Sequence, residues 1–435
     1  MGSLTTKKNR SANTGLDRAR QVPPPPAPTI TGPFELLINN AASGNSYVGW
    51  TLSACSLRIT NQPQPDRAFT LRNRDTSVGG QVIFRSTYTS AEQNTLLLTL
   101  PGDGSPVNFF IGGKFGSPSS DDQDGAISLV DSTNTVLLQR TVMVRVRKNA
   151  NNLTERERDR FLDAFSTLNA STAVYQIFLD SHNGPADPEI HRRNAFLPWH
   201  RAFMSSFERH LQVGFPSVTV PYWNFDQPSP NIFSPDFMGS TPNSVGRVTF
   251  SSTNPLRNWA IGGVTGVIRI LSFNSTTSGA PVESETGTLA LGADFDSFSF
   301  MENDPHDFAH NSISTGPLRS QATATQDPLF FLLHSNIDRL WAKWQWLRNR
   351  FNASDSNSYS PGTGARIGDF VTDTMWPWNG ATAPPRPPTA PGGPLPQLAF
   401  PSKPPPVPTI ADVIDYIGRT QGNSNNFDYD DVPFV

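Results

Sequence analysis

The sequence predicts a multi-domain protein of mixed α and β structure, in which an all-β, sandwich-like domain precedes a mainly α domain. Three observations carry this reading. From Phe34 to Lys148, short runs rich in β-branched and aromatic residues alternate with turn clusters. At about Asn149 the apolar pattern takes on a helical period. Proline-rich stretches, Pro23 to Pro26 and Pro384 to Pro408, flank these two regions.

Residues 1–32 are polar and basic and end in the first proline run, so they read as a disordered, stiff spacer without a core. In the β domain, 33–148, strands are expected at Phe34–Ile38, Tyr47–Thr60, Ala68–Arg72, Gln81–Arg85, Thr95–Leu100, Val107–Ile111 and Ala126–Val130. Turn signals separate them: Gly79-Gly80, Pro101-Gly102-Asp103-Gly104 and Asp131-Ser132-Thr133-Asn134. Cys55 falls in a strand and reads as a small buried hydrophobe.

The helical domain, 149–378, opens at a capping box, Thr154-Glu155-Arg156-Glu157, ahead of Phe161, Phe165 and Leu168. Further helices are expected at about Ala173–Ser181, at Pro198–Val213, and from Asp327-Pro328 to Arg348, where Asp serves as N-cap and Pro takes the first helical position. The last segment, 379–435, is expected to pack back on the helical domain and to hold a short helix near Ile410–Ile417.

Composition excludes several functions. Charged residues are 16% of the chain and the net charge is −3, so nothing marks a nucleic-acid binder. A single cysteine allows no intrachain disulfide, which fits a reducing compartment. The first residues hold no apolar run of the kind a signal peptide needs, and no stretch approaches the roughly 20 apolar residues of a membrane helix. A cytoplasmic protein without membrane or nucleic-acid partners is expected, with partner-assisted export left open.

The chemistry is expected from histidine. Of seven histidines, six form two sets of three: His182, His191 and His200, then His306, His310 and His334. Neutral imidazole binds both oxidation states of copper, and two triplets are what a coupled copper pair requires. With no thiolate in either set, iron–sulfur and structural zinc sites are disfavoured. At helical spacing, His200 shares a stripe with Phe203, Phe207 and Leu211, and His334 shares one with Phe330, Ile337 and Trp341. His306 and His310, four apart, face one way on a helix. Inward-facing ligands on packed helices are how bundles build metal sites. The seventh, His210, lies off the stripe and reads as a surface or supporting group.

The run His191-Arg-Arg-Asn-Ala-Phe-Leu-Pro-Trp-His200-Arg-Ala-Phe-Met-Ser-Ser-Phe-Glu208 resembles the first copper motif of tyrosinases. Asn303-Asp-Pro-His306-Asp-Phe-Ala-His310, with Asp327-Pro-Leu-Phe-Phe-Leu-Leu-His334-Ser-Asn-Ile-Asp338-Arg-Leu-Trp341, resembles the second. Pro221-Tyr-Trp-Asn224 and Phe427-Asp-Tyr429 are similar to two further family elements, with Asn for Asp and Phe for Tyr. The resemblance spans about residues 150–435.

It implies a catalytic domain with a four-helix bundle holding two copper ions, one on each histidine set, and oxidation of small phenols by O2. The products implied are o-quinones from o-diphenols, with ortho-hydroxylation of monophenols as a second activity. It also implies roles for four neighbours. Glu302 matches a glutamate that holds a proton-accepting water. Asp307 stands where relatives often have Asn, and either acts as a base or repels phenolate. Asn311 occupies a position that tunes substrate preference, and Gln321 a gate above the second copper. Leu333 replaces a second histidine found in many relatives, which leaves His334 as the ligand. Cys55 lies far from His191 in sequence, so no thioether is expected. Asp338 and Arg339 are expected in ion pairs beneath the site. An o-aminophenol oxidase and a haemocyanin-like oxygen carrier use the same site and remain alternatives. The β domain is expected to be a lid, a folding aid or a docking module.

Overall fold

The computed structural model describes residues 33–434 apart from 43–46, 62–63, 75–78, 185, 241–244, 363, 365–366, 382–393, 397–403 and 420–426. The spacer expected at residues 1–32 and most of the second proline run lie outside the described residues.

Among the described residues, nine strands build the N-terminal part: β1 Phe34–Ile38, β2 Tyr47–Val48, β3 Ser53–Ile59, β4 Arg67–Asn73, β5 Val82–Arg85, β6 Thr95–Leu100, β7 Val107–Gly113, β8 Gly125–Val130 and β9 Val136–Val144. They form two sheets, β1-β3-β7-β5 and β2-β9-β8-β4-β6. Alternating residues of β3 and β6 are buried, so one face of each sheet meets the core.

Two strands differ from expectation. The run Tyr47–Thr60 splits, because β2 pairs in parallel with β9 while β3 pairs antiparallel with β1 and β7. The break holds Gly49, where a Cβ would lie 1.9 Å from Asp428 Oδ2, so the C-terminal segment crosses there and its Asp428 side chain would have to shift for a larger residue. β9 was not expected. It closes a hairpin with β8 through the Asp131–Asn134 turn, with Asn134 left-handed at φ 63°.

The helices are α1 Glu155–Ala170, α2 Thr172–Ser181, α3 Asp187–Ile190, α4 Phe196–Gly214, α5 Glu285–Leu289, α6 Phe295–Ser299, α7 Phe308–Asn311, α8 Leu329–Arg348 and α9 Ile410–Ile414. The capping box forms at α1: the Thr154 hydroxyl accepts from Glu157 N–H, and the Glu157 carboxylate accepts from Thr154 N–H at 2.9 Å. At the start of α8, the Asp327 carboxylate accepts from Leu329 N–H at 2.9 Å and pairs with buried Arg269. α8 ends where Asn349 turns left-handed at φ 54°. Among the described residues, no helix is long and apolar enough to cross a membrane.

Among the described residues, two apolar cores result. One joins α1, α2, α4 and α8 through Phe165, Phe178, Phe203, Phe207 and Phe331, with the Phe207 and Phe331 rings stacked at 3.6 Å. The other fills the sandwich and takes in Tyr222, Ala342, Phe351, Tyr416, Phe427, Tyr429 and Phe434. The tail of the last segment thus packs into the sandwich core, whereas its α9 packs with the helices. Between the cores, Arg147 leaves β9 and meets Glu208 of α4 at 2.9 Å, Asp338 of α8 at 3.0 Å and the Tyr429 hydroxyl at 2.7 Å, all fully buried. Arg339 binds Asp431 at 2.9 Å and Glu285 at 2.7 Å. Asp338 and Arg339 therefore make the expected ion pairs.

Candidate metal centre

Each histidine reaches the interior from a different local frame. His182 caps the C-terminal end of α2, and His191 follows α3 in extended conformation. His200 lies in α4 and His334 in α8. His306 and His310 are not on one regular helix. His306 sits in the short Asn303–Asp307 turn, which extended backbone at Asp304 breaks, and His310 sits in α7.

The six rings converge. None is more than 8% exposed. Within His182, His191 and His200, and again within His306, His310 and His334, candidate ligand atoms lie within 4.8 Å of one another. The sets face each other: His200 stacks on His334 at 4.6 Å, and His191 on His306 at 6.0 Å. Phe196, Phe330 and Trp199 pack against these rings.

Hydrogen bonds set the direction of the imidazoles. Nδ1 of His200, His306 and His334 faces the carbonyl oxygens of Phe196, Glu302 and Phe330, at 2.8, 3.1 and 3.0 Å. His182 Nδ1 faces Gln321 O at 3.1 Å and His310 Nδ1 faces Leu318 O at 2.6 Å. One loop between α7 and α8 therefore holds a ring from each set. A carbonyl only accepts, so these five Nδ1 atoms carry the proton and leave a lone pair on Nε2. His191 Nδ1 lies 2.9 Å from Asp187 Oδ1, outside hydrogen-bond angles.

This arrangement suits a metal. Nε2 of His182, His191 and His200 is buried without a hydrogen-bond partner, which is costly unless a cation accepts the lone pair. In the second set, His306 Nε2 and His334 Nε2 lie 3.2 Å apart. With both protons on Nδ1, two lone pairs face each other, and a cation between them resolves the repulsion. Burial, reinforced by neighbouring imidazoles, holds His182, His200 and His334 well below the usual histidine range. It also lowers His306 and pushes His310 down to about 3. All five stay neutral, the form that ligates.

The neighbours are placed unevenly. Glu302 is buried, and its Oε1 accepts from Arg192 N–H at 2.7 Å. Burial, with Asp307 and Asp187 nearby, pushes its carboxyl up to about 7 against the pull of Arg192. Asp307 Oδ1 lies 3.0 Å from His306 Nδ1 and its Oδ2 accepts from the Arg192 guanidinium. Burial alone would raise the Asp307 carboxyl, but these partners outweigh it and lower it. Asn311 is exposed at the end of α7. Gln321 is half-buried, and its carbonyl braces His182 of the first set, whereas the resemblance put it over the second copper. Cys55 lies buried in β3 within the sandwich core. Sequence reasoning passed over Arg192 and Asp187. Their one local signal was adjacency to His191 or an i, i+4 spacing from it.

The family model described as the common central domain of tyrosinase matches residues 172–285 and 269–347. A tyrosinase of Streptomyces antibioticus is 31% identical over 271 residues, which is 54% of this chain and 94% of that protein. A G-type hemocyanin of Enteroctopus dofleini is 30% identical over 227 residues, 47% of this chain and 7% of that one. Among solved structures, a tyrosinase from Burkholderia thailandensis at high pH shares 15% identity at a TM-score of 0.44, covering 66% of this chain and 73% of that one. Because the likeness to the Streptomyces enzyme runs nearly its whole length and the family model takes in both histidine sets, the chain belongs to the tyrosinase family of phenol oxidases with a binuclear copper site.

Proposed function

We propose that this protein oxidises small o-diphenols to o-quinones with O2, and that it also hydroxylates monophenols at the ortho position. The observation that carries the reading is the convergence of two imidazole triplets, five of whose Nδ1 atoms are held by backbone carbonyls, with the Nε2 atoms of His182, His191 and His200 left without a hydrogen-bond partner and those of His306 and His334 facing each other. His182, His191 and His200 would hold one copper; His306, His310 and His334 would hold the other. Bound copper supplies reversible dioxygen binding and electron transfer from the phenol.

The chain's own residues do the rest. Carbonyls of Phe196, Glu302, Phe330, Leu318 and Gln321 fix ring orientation, a support that tunes metal sites generally. Phe196, Phe330 and Trp199 keep water from the rings. Glu302 is the proton acceptor. One of its oxygens is anchored on Arg192 N–H, and the other, Oε2, takes no hydrogen bond among the described residues. A carboxyl poised at about 7 is matched to deprotonating a phenol near neutral pH. Asn311 and Gln321 are assigned to substrate contact at the mouth.

The test is oxygen uptake by copper-loaded protein with catechol, tyrosine and o-aminophenol in parallel. Catechol turnover with stoichiometric copper is expected. Catechol without tyrosine turnover removes the hydroxylation claim. A preference for o-aminophenol makes the protein an aminophenol oxidase, and reversible O2 binding without turnover makes it a carrier.

A further inference from the structure

The Arg192 guanidinium has no part in the chemistry outlined above, yet the residue touches both sides of the centre. It directly follows His191 and stands at φ 57°, a left-handed conformation that a non-glycine residue keeps only when its surroundings hold it there. Its hydrogen-bond partners among the described residues belong to the opposite histidine segment. The backbone N–H donates to Glu302 Oε1 at 2.7 Å, and the guanidinium donates to Asn303 Oδ1 and Asp307 Oδ2. Asp307 in turn offers Oδ1 to His306 Nδ1 at 3.0 Å. The loop of one copper's histidine is thus tied to the turn of the other's. The Arg192 side chain is 53% exposed and that of Asp307 22%, so the pair sits at the solvent edge of the site.

Resting on the phenol-oxidase reading, we propose that Arg192 is a positioning residue that neutralises Asp307 and keeps it on His306. Asp307 then orients a ring instead of acting as a base, and its charge does not repel an incoming phenol or phenolate. Glu302 and Asp307 stand beside the centre, and Arg192 bonds both, Glu302 through its backbone N–H and Asp307 through its guanidinium. An ordinary exposed ion pair would matter little when broken. This one differs because its acid partner also holds a histidine.

The test uses the full-length, copper-loaded protein and a double-mutant cycle. Asn accepts left-handed backbone, so Arg192→Asn keeps the N–H to Glu302 and removes only the guanidinium. We expect KM for catechol to rise about tenfold in R192N, with kcat changing less than about threefold. Arg192→Lys should restore most of the loss. Asp307→Asn removes the charge and keeps an Oδ1 acceptor for His306, and the double variant R192N/D307N should have a KM within about twofold of that of D307N alone, because no uncompensated carboxylate remains. Copper loss to EDTA should be severalfold faster in R192N and slowed again in R192K. An unchanged KM in R192N, or a double variant as impaired as R192N, overturns the proposal. If wild-type protein holds copper but oxidises no phenol, the phenol-oxidase reading fails, while the EDTA comparison still decides whether Arg192 braces the histidines.

Discussion

For a single histidine here, the neutral state is a matter of stability as well as ligation. His182, His200, His306, His310 and His334 all have lowered folded pKa values, with His310 near 3 against an ordinary 6.5. Below pH 6.5 the unfolded chain binds protons that the folded chain refuses. Their contribution to stability is therefore complete above that pH and is lost progressively toward pH 3. Copper-free protein should melt at least roughly 10 °C lower at pH 5 than at pH 7.5, by differential scanning calorimetry. A flat profile would contradict the burial of uncharged rings. Glu302 carries the opposite signature. Its raised pKa means that the ionised, proton-accepting form grows as pH passes upward through about 7. Glu302→Gln should lower kcat for catechol about 100-fold, abolish that limb of the pH–rate profile and leave copper content unchanged.

At the scale of the element, α8 shows how a helix start can hold a site. Asp327 caps the first turn through Leu329 N–H and neutralises buried Arg269, two turns before His334. Asp327→Ala removes the cap and strands a buried charge, so urea denaturation should show a loss of about 3–5 kcal/mol. A loss below about 1 kcal/mol would mean the pair is replaceable by solvent. The loop from Gly316 to Gln321 has a different task. It has little regular structure, yet two of its carbonyls orient one ring of each histidine set. The sequence reading singled out Gln321 for its side chain, as a gate over the second copper, and missed the bracing role because the groups that act are backbone oxygens.

Across the whole molecule, the sandwich is bound to the helices from behind the centre. Its core takes in Ala342, which lies two turns of α8, about 12 Å along the axis, beyond His334. Arg147, delivered by β9, bonds Glu208, Asp338 and Tyr429 at once, and the Trp50 indole donates to Tyr429 O at 2.8 Å. Of the three roles expected for this domain, the contacts favour a folding base over a lid. A chain beginning at Asn149 would expose the apolar faces of Tyr416, Phe427 and Tyr429 and leave Glu208 and Asp338 without their shared arginine. Expressed alone, it should be insoluble or molten, with no rise in specific activity. A soluble, more active fragment would restore the lid.

The copper chemistry was legible in the residue string because ligand type and spacing are local properties. Six of seven histidines fall in two triplets, and His200 and His334 each share an apolar helical stripe. The strand–turn pattern announced the β region and the capping box announced α1 for the same reason. Tertiary structure alone decided where Tyr47–Thr60 breaks, since its two parts pair with different strands and Asp428, far along the chain, accepts from Thr51 in the break. It also decided that Leu318 and Gln321 carbonyls anchor the rings, that Arg192 joins the two triplets, and that the final residues complete the sandwich core. Each depends on contacts between residues distant in sequence, and such contacts leave no periodic trace in the residues that make them.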